Sequence, residues 1–318
     1  MSVKNENITR VGGQAVIEGV MMRCGSTIAT AVRRKSGEIE AKVEKIVPWA
    51  KRNFLLDLPI IRGALNLIEM LSVGMATLNW SADIAMQDDA ESRGVTDYKK
   101  SKTWPTMLLS FVIGVGLFVF LPLFIARLFG LEREAFLFNL VAGTVRMAIF
   151  MVYLISISFL PDVKRLFKYH GAEHKSIFAF ENGDALSVEN AQRYLTFHPR
   201  CGTSFLLIVA VVSILFFAVA DSIIAGLLGF IPGIFLRFLI HLALWPLLAG
   251  LCYEVLKISA ALSERYRWAR FAVWPGLLMQ RISTSEPSDD MVEVALFALK
   301  SAVGGEGIIP KEPCDVNR

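Results

Sequence analysis

Thr203-Ser204-Phe205-Leu206-Leu207-Ile208-Val209-Ala210-Val211-Val212-Ser213-Ile214-Leu215-Phe216-Phe217-Ala218-Val219-Ala220-Asp221-Ser222-Ile223-Ile224-Ala225-Gly226-Leu227-Leu228-Gly229-Phe230 decides the fold class. Its only charged residue is Asp221. At about 1.5 Å per residue, a helix of this length exceeds the ~30 Å hydrocarbon core of a bilayer. Three more runs share its character: Pro105–Ala126, Phe136–Leu160 and Ile234–Leu256. The 318 residues are 54% hydrophobic with a mean hydropathy of +0.51, too apolar for an ordinary soluble domain. The net charge of +4 is mild and no dense Lys/Arg tract occurs, so nucleic acid is not an expected partner. The expected fold is an α-helical integral membrane protein of about four transmembrane helices. A small α+β cytoplasmic unit, built from the N- and C-terminal segments, completes it.

Working outward from the spans, Arg146 and Asp221 lie inside them and should face protein or water rather than lipid. Lys/Arg bias sets the orientation. Arg93, Lys99, Lys100 and Lys102 precede the first span; Lys164, Arg165, Lys168 and Lys175 follow the second; Lys257, Arg265, Arg267 and Arg270 follow the fourth. The other two connections carry only Arg127 and Arg133, then Arg237. Both termini and the loop between the second and third spans are therefore expected in the cytoplasm. The stretch Leu55–Met86 is apolar but holds Asp57, Arg62, Glu69 and Asp83 among small residues. It reads as a helix lying along the membrane or against other helices rather than crossing, although one charge pair inside a bundle would permit a crossing. The chain divides into 1–50 (β-rich, cytoplasmic), 51–103 (interfacial helix and linker), 104–160 (first helix pair), 161–202 (cytoplasmic loop), 203–257 (second helix pair) and 258–318 (C-terminal segment).

In the first segment, Gln14–Met22, Thr27–Arg33 and Glu38–Val47 alternate or are rich in β-branched residues, with Gly12-Gly13, Gly25-Ser26 and Lys35-Ser36-Gly37 as turns. A small antiparallel meander is expected. In the last, Ser288 or Asp289 starts an amphipathic helix from Met291 to Val303, which would dock on those strands. Cys24, Cys201, Cys252 and Cys314 are scattered without a C-x-x-C pair, and read as reduced rather than as a disulfide framework. No apolar stretch follows the polar N-terminus, so a cleaved secretory signal is not indicated.

The chemistry-bearing loop runs from Pro161 to Gly202. It opens as a helix to Phe180, turns at Glu181-Asn182-Gly183-Asp184, and continues with a short helix capped by Ser187. It returns to the membrane through His198-Pro199-Arg200-Cys201-Gly202. Within it lies His170-Gly171-Ala172-Glu173-His174, an H-x-x-E-H pattern. On a helix, His170 and His174 share one face, one turn apart, and can ligate one metal with Glu173 beside it. The same pattern occurs in the inverzincin metallopeptidases. Three of the four histidines fall in this loop. His170, His174 and His198 are candidate ligands and Cys201 a fourth, for a divalent metal of the zinc type. Three ligands leave a position for water, as catalysis needs; four would imply structure. The plain alternative is a set of loop histidines near headgroups, or hydrogen-bonded core residues, and Gly171 weakens the helix. His241 and Glu254 are 13 positions apart, about 20 Å along a helix, so they cannot share a metal. Glu254 could reach the histidines or pair with Arg146. Glu18, in Gly12-Gly13-Gln14-Ala15-Val16-Ile17-Glu18-Gly19-Val20-Met21-Met22-Arg23, belongs to a Gly-flanked strand or to a loop lent to the site. Arg200 would meet a headgroup or an acidic substrate group.

That last segment, with H-G-A-E-H-K, H-P-R-C-G-T-S and P-G-L-L-M-Q-R followed by S-E-P, resembles the YqhQ-like family of bacterial membrane proteins, of unknown function and labelled as predicted metal-dependent enzymes. The resemblance covers Val11 to Val303. It implies a multi-pass protein of the bacterial inner membrane using metal at His170, Glu173, His174, His198 and Cys201. Two functions follow as expectations. One is a metal-dependent hydrolase at the cytoplasmic membrane face, with Glu173 as base for a metal-bound water and a membrane peptide or lipid as substrate. The other is a non-enzymatic scaffold or assembly and insertion factor whose metal, if any, is structural. A transporter fits less well, since four spans are few and no internal repeat is visible.

Overall fold

The computed structural model describes residues 11–94, 104–265 and 274–304. Its N-terminal part is a four-stranded antiparallel meander: β1 (Val11–Val16), β2 (Gly19–Cys24), β3 (Thr27–Arg33) and β4 (Ile39–Lys45), in that spatial order. The stretch expected as one strand, Gln14–Met22, folds instead into a hairpin. Val16 faces Gly19 across a two-residue turn of Ile17 and Glu18. The turn escapes notice in the sequence because no Asn-Gly or Asp-Gly marks it; Glu18 itself takes a left-handed backbone, φ 55°. Gly19 is required there, since a Cβ would lie 2.0 Å from the Ala31 carbonyl oxygen.

Two helices cover one face of the sheet. They are α5 (Pro161–Glu181) and, at the C-terminal end, α10 (Asp289–Val303), which docks on β2 and β3 as its amphipathic pattern predicts. Val20, Met22, Ala29 and Ala31 pack there against Tyr169, Ala172, Val292, Ala295 and Leu299. Fully burying one such large apolar side chain contributes about 1.5–3 kcal/mol. The short helix α6 (Val188–Gln192) closes the same layer, with Ser187 Oγ accepting the Asn190 N–H at 3.3 Å.

The opposite face is covered by α1 (Ile61–Ser92). Val73 and Ile84 pack on Val16, Met21, Ile28 and Val32. Of the charged residues that made this stretch ambiguous, Glu69 has its partners in the sheet and its flank, and Ser81 and Asp88 join it on that side. Glu69 accepts from Arg23 at 3.0 Å and from the Trp49 N–H at 2.7 Å. Ser81 Oγ accepts the Ile17 N–H at 3.1 Å, and Asp88 accepts from Arg34 and the Lys35 N–H, each at 2.8 Å.

The remaining apolar helices form a bundle. The first is α2 (Trp104–Val115) continuing into α3 (Leu121–Leu128) through a π-turn at Gly116–Phe120. The others are α4 (Ala135–Ser158), α7 (Thr203–Leu228) and α8 (Ile234–Arg265), with α9 (Trp274–Ser283) against α4 and α7. Together with α1, five helices among the described residues are long and apolar enough to cross a membrane. Their outward side chains are large and bare: Phe111, Val112, Val152, Val211, Val219 and Phe235 each exceed half exposure.

The charges inside the bundle turn to protein. Pro122 has no N–H for the Phe118 carbonyl four residues earlier, and Arg146 Nε donates to that oxygen at 2.8 Å. Asp221 accepts from Asn139 at 2.8 Å and lies 2.9 Å from His241 Nε2, with Arg237 at 3.4 Å. Glu254 pairs with neither Arg146 nor the loop histidines. It accepts two bonds of 2.8 Å from Arg62 of α1. Cys24 also departs from expectation: it is disulfide-bonded, whereas Cys201 and Cys252 are not. Spacing carries no signal for such a bond, which needs only that the fold bring two Cα atoms within about 7 Å.

Helices α1 and α8 meet backbone to backbone. A Cβ on Gly250 would lie 2.3 Å from the Ile60 carbonyl oxygen, and one on Gly63 would lie 2.9 Å from that of Gly250. Gly250→Leu should force the pair apart and cost about 1–3 kcal/mol. The check is a lowered melting temperature in detergent, beside Gly226→Leu, whose Cβ has open space and which should change little.

Candidate metal centre

The helix α5 leaves the bundle at Pro161 and runs beside β1. Its Tyr169, Ala172 and Ile177 pack inward among the sheet and α10. That packing turns the neighbouring face, with His170, Glu173 and His174, toward the chain returning through His198 to Cys201. Gly171 does not break the helix. It is the position where α5 touches the segment after α9, and a Cβ would lie 2.2 Å from the Ser285 carbonyl oxygen.

The two imidazoles are oriented by backbone carbonyls. His170 Nδ1 donates to the Ser283 oxygen at 2.8 Å and His174 Nδ1 donates to the Thr196 oxygen. A carbonyl only accepts, so each Nδ1 carries a proton, and in the neutral ring each Nε2 keeps a lone pair. Both lone pairs point into one space. His170 Nε2 lies 3.2 Å from Cys201 Sγ. Glu173 Oε2 is 3.8 Å from His170 Nε2 and 3.8 Å from His174 Nε2. One ligand atom each of His170, His174 and Cys201 falls within 4.8 Å of the other two. The donor set is thus two imidazole nitrogens and a thiol, with the Glu173 carboxyl beside both nitrogens. Ligands bound at about 2.0–2.3 Å around a tetrahedral ion sit at comparable mutual distances.

Burial shapes the protonation of these groups. It raises the Glu173 carboxyl, against the opposing pull of His170 and His198. It lowers His174, with the Cys201 hydrogen bond acting the other way, and it lowers His198. Burial thus favours the neutral ring at His174 and His198 and the protonated carboxyl at Glu173.

The structure brings His170, Glu173, His174 and Cys201 together and leaves His198, expected among the ligands, beside them. His198 Nδ1 accepts the Arg200 N–H at 3.3 Å, and its Nε2 lies 3.5 Å from Glu181 Oε2. Its ring packs at 4.5 Å on Phe178 and 5.6 Å from that of His174. Arg200 pairs with Glu181. Glu18 is not lent to the site; it binds Arg165. Four contributors went unread in the sequence. Ser283 and Thr196 act through main-chain oxygens, which no side-chain motif encodes. Gln280 clamps His198 at both its N–H (2.8 Å) and its carbonyl (2.9 Å). Gly13 lies against Glu173. The only signals were the glycine pair and the P-G-L-L-M-Q-R run. A cavity of about 600 Å³ opens from the cluster, walled by β1, Met21, Met70, Phe167 and Ile177.

A Cβ at Gly13 would lie 2.7 Å from Glu173 Cγ and 2.9 Å from the Met21 carbonyl oxygen, whereas Gly12 has nothing within 4 Å. Gly13→Ala should therefore displace the carboxyl and cost about 1–3 kcal/mol, with Gly12→Ala near neutral. Thermal unfolding of the two variants side by side checks this.

The model of the family described as "Protein of unknown function (DUF1385)" matches residues 58–305. The uncharacterized protein YqhQ of Bacillus subtilis (strain 168) is 31% identical over 297 residues, covering 90% of this chain and 89% of that protein. No solved structure matches. The expectation of a YqhQ-like protein thus holds at the level of family: the chain belongs to DUF1385.

Proposed function

We propose that this protein is a metal-dependent hydrolase of the zinc type, working at the cytoplasmic face of the bacterial inner membrane. Helices α2–α3, α4, α7 and α8 cross the bilayer and both termini lie in the cytoplasm. The reading for α1 as a non-crossing helix is supported by Glu69, Ser81 and Asp88, which the sheet side satisfies and lipid could not. The observation that carries the enzymatic reading is the pair of Nδ1–H···O=C bonds that aim two Nε2 lone pairs at Cys201 and Glu173. Such outer bonds fix tautomer and orientation in metal-ligating histidines.

His170, His174 and Cys201 would hold the ion. When bound, it supplies a Lewis acid that polarises a scissile carbonyl and makes water acidic. The rest is done by the chain. Glu173 accepts one proton from the attacking water as its oxygen bonds to the carbonyl carbon. Glu173 then delivers that proton to the leaving group as the acyl bond breaks, so no other co-reactant is consumed.

The second reading, a non-enzymatic scaffold or insertion factor, is favoured by the equal 3.8 Å approach of Glu173 Oε2 to both Nε2 atoms. That carboxylate could close the site as a fourth ligand. Metal content and turnover separate the two. Protein purified without chelators should carry about one zinc-type ion per chain, lost in His170→Ala/His174→Ala. Glu173→Gln should keep the ion while hydrolysis in a peptide, ester and phosphoester screen falls about 10²–10⁴-fold. A variant that loses the ion instead makes Glu173 a ligand and the metal structural.

A further inference from the structure

We infer that the substrate of this site is an extended, apolar peptide segment, held as an added strand on the edge of β1 that no strand among the described residues pairs. This rests on the hydrolase reading and names what the hydrolase would act on.

The register decides which main-chain groups are open. Val16 and Gly19 flank a two-residue turn, so they form a hydrogen-bonded pair, and the pairs Gln14↔Met21 and Gly12↔Arg23 follow by alternation. The next ladder confirms the phase: the Arg33 N–H donates to the Glu18 carbonyl at 2.8 Å, so Glu18, Val20 and Met22 face β3 and Gly19, Met21 and Arg23 face β1. The N–H and C=O groups of Val11, Gly13, Ala15 and Ile17 therefore point away from the sheet. At Ile17 the helix α1 ends the row, since Ser81 Oγ takes that N–H at 3.1 Å. Gly13 and Ala15 stand on the cavity, and every residue from Val11 to Ala15 lines it.

This row of donors and acceptors repeats every second residue, which matches an extended peptide backbone and nothing in an acyl chain. The reactive cluster stands over this row: Glu173, on the sheet face that α5 covers, lies where the Gly13 side chain would be. A strand paired with Gly13 and Ala15 would pass a peptide bond beside His170, Glu173 and His174. The walls offer Met21, Met70, Leu166, Phe167 and Ile177 to its side chains. A phosphate headgroup is less well served, because both guanidiniums on the cavity are committed. Arg23 donates to the Gly25 carbonyl at 3.1 Å and to Glu69 at 3.0 Å, and Arg200 pairs with Glu181.

The test uses full-length Glu173→Gln protein, zinc-loaded in detergent, with a pool of capped hexapeptides drawn from Ala, Leu, Phe and Thr. Residue-resolved amide exchange is read along β1. The expected result is alternation: exchange at Gly13 and Ala15 slows about tenfold, while Gly12, Gln14 and Val16, already in the ladder, do not change. The same pool N-methylated at alternate residues should give no slowing. Ala15→Pro, which removes only an outward N–H, should weaken pool binding about tenfold. Unchanged exchange at Gly13 and Ala15, or equal slowing by the N-methylated pool, overturns the inference. Zinc-dependent cleavage of a phospholipid ester with the edge unprotected would keep the hydrolase and overturn the peptide. A protected edge without cleavage by the wild type would keep the pairing and overturn the hydrolase.

Discussion

Two hydrogen bonds, from His170 Nδ1 to the Ser283 carbonyl and from His174 Nδ1 to the Thr196 carbonyl, fix where two lone pairs point. The acceptors lie on different segments. Ser283 ends α9, which packs on the apolar bundle, and Thr196 belongs to the chain returning to α7. The histidines themselves ride on α5, whose other face is buried against α10 and the sheet. Holding both imidazoles thus ties three parts of the molecule to one point. The geometry cannot persist if α9, the return loop or α10 moves independently.

A set of two imidazole lone pairs, a thiol and a carboxyl is rich in acceptors and poor in protons. Left alone in a buried place, it must stay neutral, which is the direction in which burial pushes Glu173 and His174. A divalent cation relieves the same deficit by letting thiol and carboxyl ionise. The buried clusters elsewhere have a different character. Arg62 with Glu254, and Arg237 and His241 with Asp221, combine donors with acceptors in paired geometry. Each joins cations or donors to a carboxylate inside the helix layer, although Arg237 Nε and His241 Nδ1 find no hydrogen-bond partner among the described residues.

The apolar runs at Pro105–Ala126, Phe136–Leu160, Thr203–Phe230 and Ile234–Leu256 were legible because each is about 20 residues or longer with at most two charged residues. The amphipathic period of Met291–Val303 likewise announced a helix needing a sheet to cover it. The His170/His174 pair was legible from i,i+4 spacing alone. What the sequence hid was tertiary. The Ile17-Glu18 turn depends on packing at Gly19 rather than on turn residues. The partner of Glu254 is 192 residues away in Arg62. Glu69 looked like a charge in an apolar helix until the sheet supplied Arg23. His198 shared a loop with the other two histidines, but Gln280 and Phe178 hold it to one side, and no local pattern encodes that clamp.

The convergence of His170, His174 and Cys201 on one ion is the central claim. X-ray absorption at the zinc edge of the metal-loaded protein reads that shell directly. The account predicts two nitrogen scatterers at about 2.0 Å with imidazole multiple scattering and one sulfur at about 2.3 Å, the sulfur disappearing in Cys201→Ser. A shell of oxygen atoms alone, unchanged in His174→Ala, would contradict it.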